Sequence, residues 1–177
     1  MRGGNKMRFL IVSGGEATDE FVENVIKRGG YDVILAADSG MDFLYRTKIL
    51  PDIIVGDFDS VDPEVLEFFR EHEEIDICAL NPVKDDTDTE FAIRESIRRG
   101  ATEITIIGGT GTRLDHVLGN ISLLGIGLEE DVRMELLDAN NRIRMTDHSV
   151  VLKKKQQYGK YLSLLPYSEK VTGVTLK

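Results

Sequence analysis

The sequence predicts an α/β fold, a doubly wound, mostly parallel sheet followed by a small antiparallel β domain of β-sandwich type. Three observations predict it. Short apolar runs rich in Ile and Val occupy 8–13, 32–37, 51–55, 75–79 and 103–108 without polar alternation, as in strands covered on both faces. Segments with helical spacing separate these runs, and the alternation implies right-handed crossovers in a layered domain. Later runs, at 132–137, 142–146, 150–153, 161–165 and 171–176, are shorter and alternate, which suggests antiparallel sheet.

The first strand, Phe9-Leu10-Ile11-Val12, is too short for a signal peptide and has no cleavage site after it. It leads through Ser13-Gly14-Gly15 into a helical pattern over 19–28. The second strand ends at Asp38-Ser39-Gly40, before a short helical turn over 41–46. The third, Ile53-Ile54-Val55, runs into Gly56-Asp57-Phe58-Asp59-Ser60. Helix 63–72 follows, with Asp62 as N-cap and Pro63 at the first helical position, where a missing amide hydrogen is tolerated. Past the fourth strand, Asp85-Asp86-Thr87-Asp88 opens helix 87–99. Its residues Phe91, Ala92, Glu95, Ser96 and Arg99 fall at helical spacing, and Gly100 stops it. The fifth strand gives way to Gly108-Gly109-Thr110-Gly111-Thr112 and a helix over 115–128. Turns at Asn140-Asn141, Tyr158-Gly159 and Pro166-Tyr167-Ser168 divide the remainder. We divide the chain into an α/β domain over 1–141 and a β-rich domain over 142–177. The second is too small for its own core, so it is expected to pack on the first domain or on another subunit. A hydrophobic strand at its end, Val174-Thr175-Leu176-Lys177, offers an edge for pairing with another chain.

A chain of 177 residues suits one domain with a small second one. Its net charge of -9 argues against a general nucleic-acid binder, which needs Lys and Arg against the phosphate backbone. Residues 132–177 hold nine Lys or Arg against four Asp or Glu, leaving thirteen against twenty-seven before them, so a basic tail follows an acidic body. No apolar run approaches the ~20 residues of a membrane span. Cys78 stands alone, which excludes an internal disulfide and points to a reducing, cytoplasmic setting. Residues 1–6 read as an extension ahead of a natural start at Met7.

Ligands of doubly wound sheets sit outside the carboxyl ends of the strands, where every acidic and glycine-rich loop of this chain is expected. Asp57, Asp59 and Asp88 offer hard oxygen ligands, which select magnesium or manganese over zinc. Two carboxylates about 4 Å apart repel by roughly 4 kcal/mol at an effective dielectric near 20, a cost a divalent cation removes. Helix capping accounts for two acids of the 85–90 cluster but hardly for four. Lys84 beside them either contacts phosphate or offsets their repulsion. The Gly108–Thr112 loop suits close approach of backbone amides to phosphate oxygens. It fits neither Gly-x-x-x-x-Gly-Lys-Ser/Thr nor Gly-x-Gly-x-x-Gly. Arg113 can clamp phosphate, and Asp115 can bind metal or accept a proton. His116 reads as a helix-face histidine. Gly14, Gly15, Asp38, Ser39 and Gly40 can line a nucleotide pocket. These features point to a magnesium-dependent enzyme acting on nucleotide phosphates.

The order Gly56-Asp57-Phe58-Asp59-Ser60, then Lys84-Asp85-Asp86-Thr87-Asp88-Thr89-Glu90, then Gly108-Gly109 with Arg113-Leu114-Asp115-His116, resembles thiamine pyrophosphokinase of the bacterial type. The likeness runs from the first strand to about Asn141. It implies ATP-dependent transfer of a whole diphosphoryl group to the hydroxyl of thiamine, releasing AMP, in a homodimer with substrate sites between subunits. It implies further that Asp57, Asp59 and Asp88 hold magnesium, with manganese as a substitute. Asp115, Arg113 and Asp88 would serve catalysis. Gly14, Gly15, Asp38, Ser39, Gly40, Lys84, Asp85, Thr87, Gly109, Thr110 and Arg113 would contact ATP. The basic tail resembles the start of the family's thiamine-binding domain, which usually runs further and includes a Ser-Asn segment, so an incomplete thiamine site is expected. Two rivals stand beside this reading. An apolar strand followed by Asp57-Phe58-Asp59 also resembles aspartyl-nucleophile phosphohydrolases, and a non-catalytic nucleotide-binding regulator would use the tail for dimerisation alone.

Overall fold

A computed structural model describes residues 6–59, 61–79 and 87–175. The elements alternate as β1 (Arg8–Val12), α1 (Asp19–Arg28), β2 (Val33–Ala37), α2 (Gly40–Thr47), β3 (Ile53–Gly56), α3 (Pro63–Arg70), β4 (Asp76–Ala79), α4 (Asp88–Arg98), β5 (Glu103–Ile107), α5 (Leu114–Glu129), β6 (Arg133–Leu137) and β7 (Arg142–Ile143). They form one sheet in the order β4-β3-β2-β1-β5-β6-β7, in which β1 through β6 are parallel and β7 is antiparallel to β6.

Side-chain alternation divides the core in two. Leu10, Val12, Ala36 and Ile54 point to one face and pack with Val22 and Val25 of α1, Met41 and Leu44 of α2, and Phe69 of α3. Phe9, Ile11, Leu35, Val55 and Ile106 point to the other, against Ala92 and Ile93 of α4 and Leu124 of α5. Right-handed crossovers explain the division. The chain steps from β1 towards β4 with α1 to α3 on one face, then reverses to β5, and reversal under the same handedness puts α4 and α5 on the opposite face. The reversal makes β1 and β5 the switch point of the sheet, where a crevice opens at the strand ends.

Local chemistry sets the helix starts. The Thr18 hydroxyl accepts the Phe21 amide at 3.2 Å, and the Asp62 carboxylate accepts that of Glu64 at 2.9 Å with Pro63 in the first turn, as expected. Helix α3 ends at Arg70, two residues before the expected His72.

Glu95 of α4 is buried between two guanidinium groups, Arg98 at 2.6 Å and Arg99 at 2.7 Å, and Arg99 also reaches Asp76 of β4. The hydrogen bond from Arg98, outweighing burial, holds the Glu95 carboxyl at about 2, against an ordinary 4.5. A carboxyl depressed on folding contributes stability above its unfolded pKa and loses it as pH falls through the folded one. The contribution is therefore full above about pH 4.5 and gone near pH 2. Glu95→Gln should cost about 2 kcal/mol at pH 7, discounted for the exposed Arg98 partner, and nothing at pH 2. Urea titrations at the two pH values check this, and an equal loss at both would exclude the ion pairs as the cause.

The region beyond β5 differs from expectation in detail. The run at 132–137 was expected among the antiparallel strands but forms β6, parallel to β5, because α5 returns the chain to the same end of the sheet. Of the later runs, only Arg142–Ile143 pairs as an antiparallel strand. The runs at 150–153, 161–165 and 171–175 form no strand among the described residues, and residues 154–156 make a single 3-10 turn. A lone strand lacks partners for its amides and carbonyls, and β7 offers an edge only two residues long. Their apolar side chains face outward: Val151 is 83% exposed, Tyr161 89% and Leu165 86%. Tyr158 anchors the tail by donating its hydroxyl to the Asp138 carbonyl at 2.5 Å.

Candidate functional site

Three loops interlock at the switch point. After β1, the Ser13 amide donates to the Ile107 carbonyl at 2.8 Å, Gly15 to Gly108 at 2.7 Å, and Glu16 to Thr110 at 2.9 Å. Gly108 has φ +68, and a Cβ there would lie 2.0 Å from the Ser13 carbonyl oxygen. Gly40 opens α2 so close to β1 that a Cβ would lie 1.9 Å from the Val12 carbonyl oxygen. Glycine at these places serves loop-to-loop contact. The Gly15 amide, expected near a nucleotide, is engaged by a neighbouring carbonyl. Asn120, a polar residue within the apolar α5, donates to the Gly109 carbonyl at 2.7 Å and holds the β5 loop from the helix side.

The acidic loops lie around this core. Asp38 follows β2 with φ 45, its amide bonded to the Val55 carbonyl at 2.8 Å, while Ser39 takes the cap position of α2. After β3, Phe58 adopts φ 61, and the Asp57 carboxylate accepts the Asp59 amide at 3.1 Å. The left-handed residue turns the chain out of the strand direction, so the loop, and not the same-face spacing of i and i+2 on a strand, sets how the two carboxylates stand. Asp88 is half-buried in the first turn of α4, capped by Thr87, whose hydroxyl accepts the Glu90 amide at 3.2 Å. The Thr87 hydroxyl, expected at the nucleotide, is here engaged by the helix amide.

Electrostatics ties these acids together. Burial raises the Asp88 carboxyl above its usual range, the charges of Asp38 and Asp57 raise it further, and Asp59 adds to the same push. Side chains from three strand ends therefore share one field. Among the described residues, no three His, Cys, Asp or Glu side chains stand close enough to hold a metal ion, so the shared field is not a closed cage. Carboxylate oxygens are the donor type that a hard divalent cation takes, and such an ion would offset the mutual repulsion.

At the start of α5, two of the three expected catalytic groups pair with each other. Arg113 donates to the Asp115 carboxylate at 2.6 Å, with both side chains about two-thirds exposed at 67% and 64%. The guanidinium lowers the Asp115 carboxyl, making it a weaker proton acceptor than a lone aspartate. His116 is exposed beside them, in line with a helix-face histidine. Thr110 is half-buried in the β5 loop. Lys84 and Asp85, expected at the phosphates, and Ser60 lie outside the described residues.

Sequence reasoning missed two polar anchors. One is Asn120, whose signal was a single amide on an otherwise apolar helix. The other is a buried hydroxyl pair, Ser13 Oγ and Thr89 Oγ1 at 2.8 Å, between residues 76 apart in sequence. Each side chain looked ordinary where it stood.

Residues 28–136 match the family model described as "Thiamin pyrophosphokinase, catalytic domain". The chain is 33% identical over 145 residues to thiamine pyrophosphokinase of Bacillus subtilis, covering 80% of this chain and 66% of that protein. A crystal structure of the Bacillus subtilis enzyme superposes with a TM-score of 0.67 at 27% identity, covering 77% of this chain and 63% of the other. Yeast thiamin pyrophosphokinase shares the fold, with a TM-score of 0.66 at 16% identity over 80% of this chain and 62% of that one. The chain thus spans just under two thirds of the length of these relatives. No described helix is long and apolar enough to cross a membrane.

Proposed function

The chain belongs to the thiamin pyrophosphokinase family through its catalytic domain, and from that membership we propose that it transfers the diphosphoryl group of ATP to the hydroxyl of thiamine. The products are thiamine diphosphate and AMP. One observation carries the reading: the carboxylates of Asp38, Asp57 and Asp59, from the carboxyl ends of β2 and β3, act together on Asp88 at the start of α4 in a doubly wound sheet. The phosphohydrolase rival gains no support from the family match.

Asp57, Asp59 and Asp88 are the residues that would hold magnesium. When bound, the ion supplies charge neutralisation for the polyphosphate and polarises its oxygens. The chain's own residues bring these carboxylates to the strand ends, through the left-handed turn at Phe58 and the first turn of α4. Gly14, Gly15, Asp38, Ser39, Gly40, Gly109 and Thr110 form the floor against which the nucleotide lies. Lys84 and Asp85 are assigned, on the family resemblance, to the phosphates of ATP. Arg113 steadies phosphate charge once substrate draws it from Asp115, and Asp115 then stands near the attacking hydroxyl. Alignment and charge stabilisation of this kind account for most of phosphoryl-transfer catalysis. The attack falls on the β-phosphorus, which breaks its bond to the oxygen bridging to the α-phosphorus and releases AMP.

Residues 1–141 form the nucleotide-binding part in this reading, and 142–177 belong to thiamine binding and dimerisation. The outward apolar residues of the tail, Val151, Tyr161 and Leu165 among them, support a homodimer in which a second copy covers them. We place the protein in the cytoplasm, in keeping with its lone Cys78. Incubation with ATP and magnesium, with and without thiamine, tests the reaction. AMP and thiamine diphosphate should accumulate only when thiamine is present, and steady release of inorganic phosphate without it would refute the assignment. Sedimentation equilibrium tests the dimer, and a monomer at micromolar concentration would refute it.

A further inference from the structure

The hydroxyls of Ser13 and Thr89 meet at 2.8 Å, with each residue 7% exposed. Ser13 is fixed on the β5 side by its amide bond to Ile107 and by its carbonyl, which fills the space a Cβ on Gly108 would need. Thr89 directly follows Asp88 in the first turn of α4, which meets the sheet through the apolar Ala92 and Ile93 along its middle and through the Arg99–Asp76 ion pair only at its far end. Apolar contact is non-directional and tolerates small slides of a helix, whereas a hydrogen bond fixes distance and angle. The Thr87 hydroxyl, already engaged by the Glu90 amide, does not tie the helix to the sheet.

We propose that the Ser13–Thr89 hydroxyl pair is a positioning device that sets where Asp88 stands relative to Asp57 and Asp59, and thereby the affinity of the site for a divalent cation. The proposal rests on the reading of those three aspartates as magnesium ligands. Second-layer partners of metal ligands commonly change affinity by about 10–100-fold when removed, and this pair acts on a ligand one residue away.

The test is titration of the full chain with Mn2+ in the presence of ATP, followed by electron paramagnetic resonance, with a melting curve for every variant. Thr89→Val keeps the shape, removes the hydroxyl, and should weaken Mn2+ binding about tenfold. Thr89→Ser keeps the hydroxyl and should bind within twofold of the parent. The double variant Ser13→Ala, Thr89→Val removes the orphaned hydroxyl, so it should regain melting temperature without regaining Mn2+ affinity. A purely structural pair would show affinity returning along with melting temperature, or Thr89→Val binding within twofold of the parent, and either result overturns the proposal. Asp88→Asn separates the two layers of the inference. If it leaves Mn2+ affinity unchanged, the ligand assignment fails and the pair's role with it. If it weakens Mn2+ binding while Thr89→Val does not, only the pair's role falls.

Discussion

Replacing Asp88 by Asn is expected to lower turnover by about a thousandfold while making the metal-free protein harder to melt. The first effect follows from the proposed role of Asp88 as a charged ligand in diphosphoryl transfer, where one such contact is worth about 10²–10³ in rate. The second follows from the surroundings of Asp88. Burial and the charges of Asp38 and Asp57 push its carboxyl upward. A carboxyl raised on folding contributes stability below its unfolded pKa and loses it as pH rises through the folded one, so at neutral pH the ionised group weighs against the fold. Asn removes the charge and keeps the shape. Magnesium should therefore raise the melting temperature of the parent more than that of the variant, since only the parent has repulsion for the cation to relieve. AMP release and thermal melts with and without magnesium measure both effects. Turnover within tenfold of the parent would remove Asp88 from the active site, whatever the melts show.

Elements whose cause is local were legible: the unbroken apolar strands, the Asp62-Pro63 helix start, and the sheet they imply. The acidic loops were legible for the opposite reason. Burial and the charges of Asp57 and Asp59 push the Asp88 carboxyl upward, and a local conflict of that kind is what nominates these loops as a candidate site. What escaped were arrangements whose cause lies far along the chain. The Ser13–Thr89 pair joins residues that each look like an ordinary turn or helix position. The Arg113–Asp115 ion pair was hidden because both groups suited substrate equally well. The tail misled for a related reason. Alternation at 150–153 and 161–165 marks a capacity for strand pairing, but a strand needs a neighbour, and the described chain supplies none there.

Replacing Gly108 by Ala should destabilise the protein by about 2–5 kcal/mol and lower its melting temperature by roughly 10 °C. Two costs combine. At φ +68 an L side chain sits in the left-handed region, which costs roughly 1–2 kcal/mol. The new Cβ would also stand 2.0 Å from the Ser13 carbonyl oxygen, a backbone atom that cannot rotate away, and such overpacking adds about 1–3 kcal/mol. The strain falls on the loop that holds Gly15 and Glu16 against β5 and that presents the Ser13 hydroxyl to Thr89. Activity should therefore fall at temperatures where the variant is still fully folded. Gly119 in α5 is the matched control, since a Cβ there meets nothing within 4 Å. Gly119→Ala should be neutral or stabilising by up to about 1 kcal/mol, because it removes a helix-interior glycine without a clash. Melting curves of the two variants decide the matter. A Gly108→Ala protein melting within about 2 °C of the parent would mean that the β1 and β5 loops can separate at little cost, and the rigid switch point on which the placement of Asp88 depends would not exist.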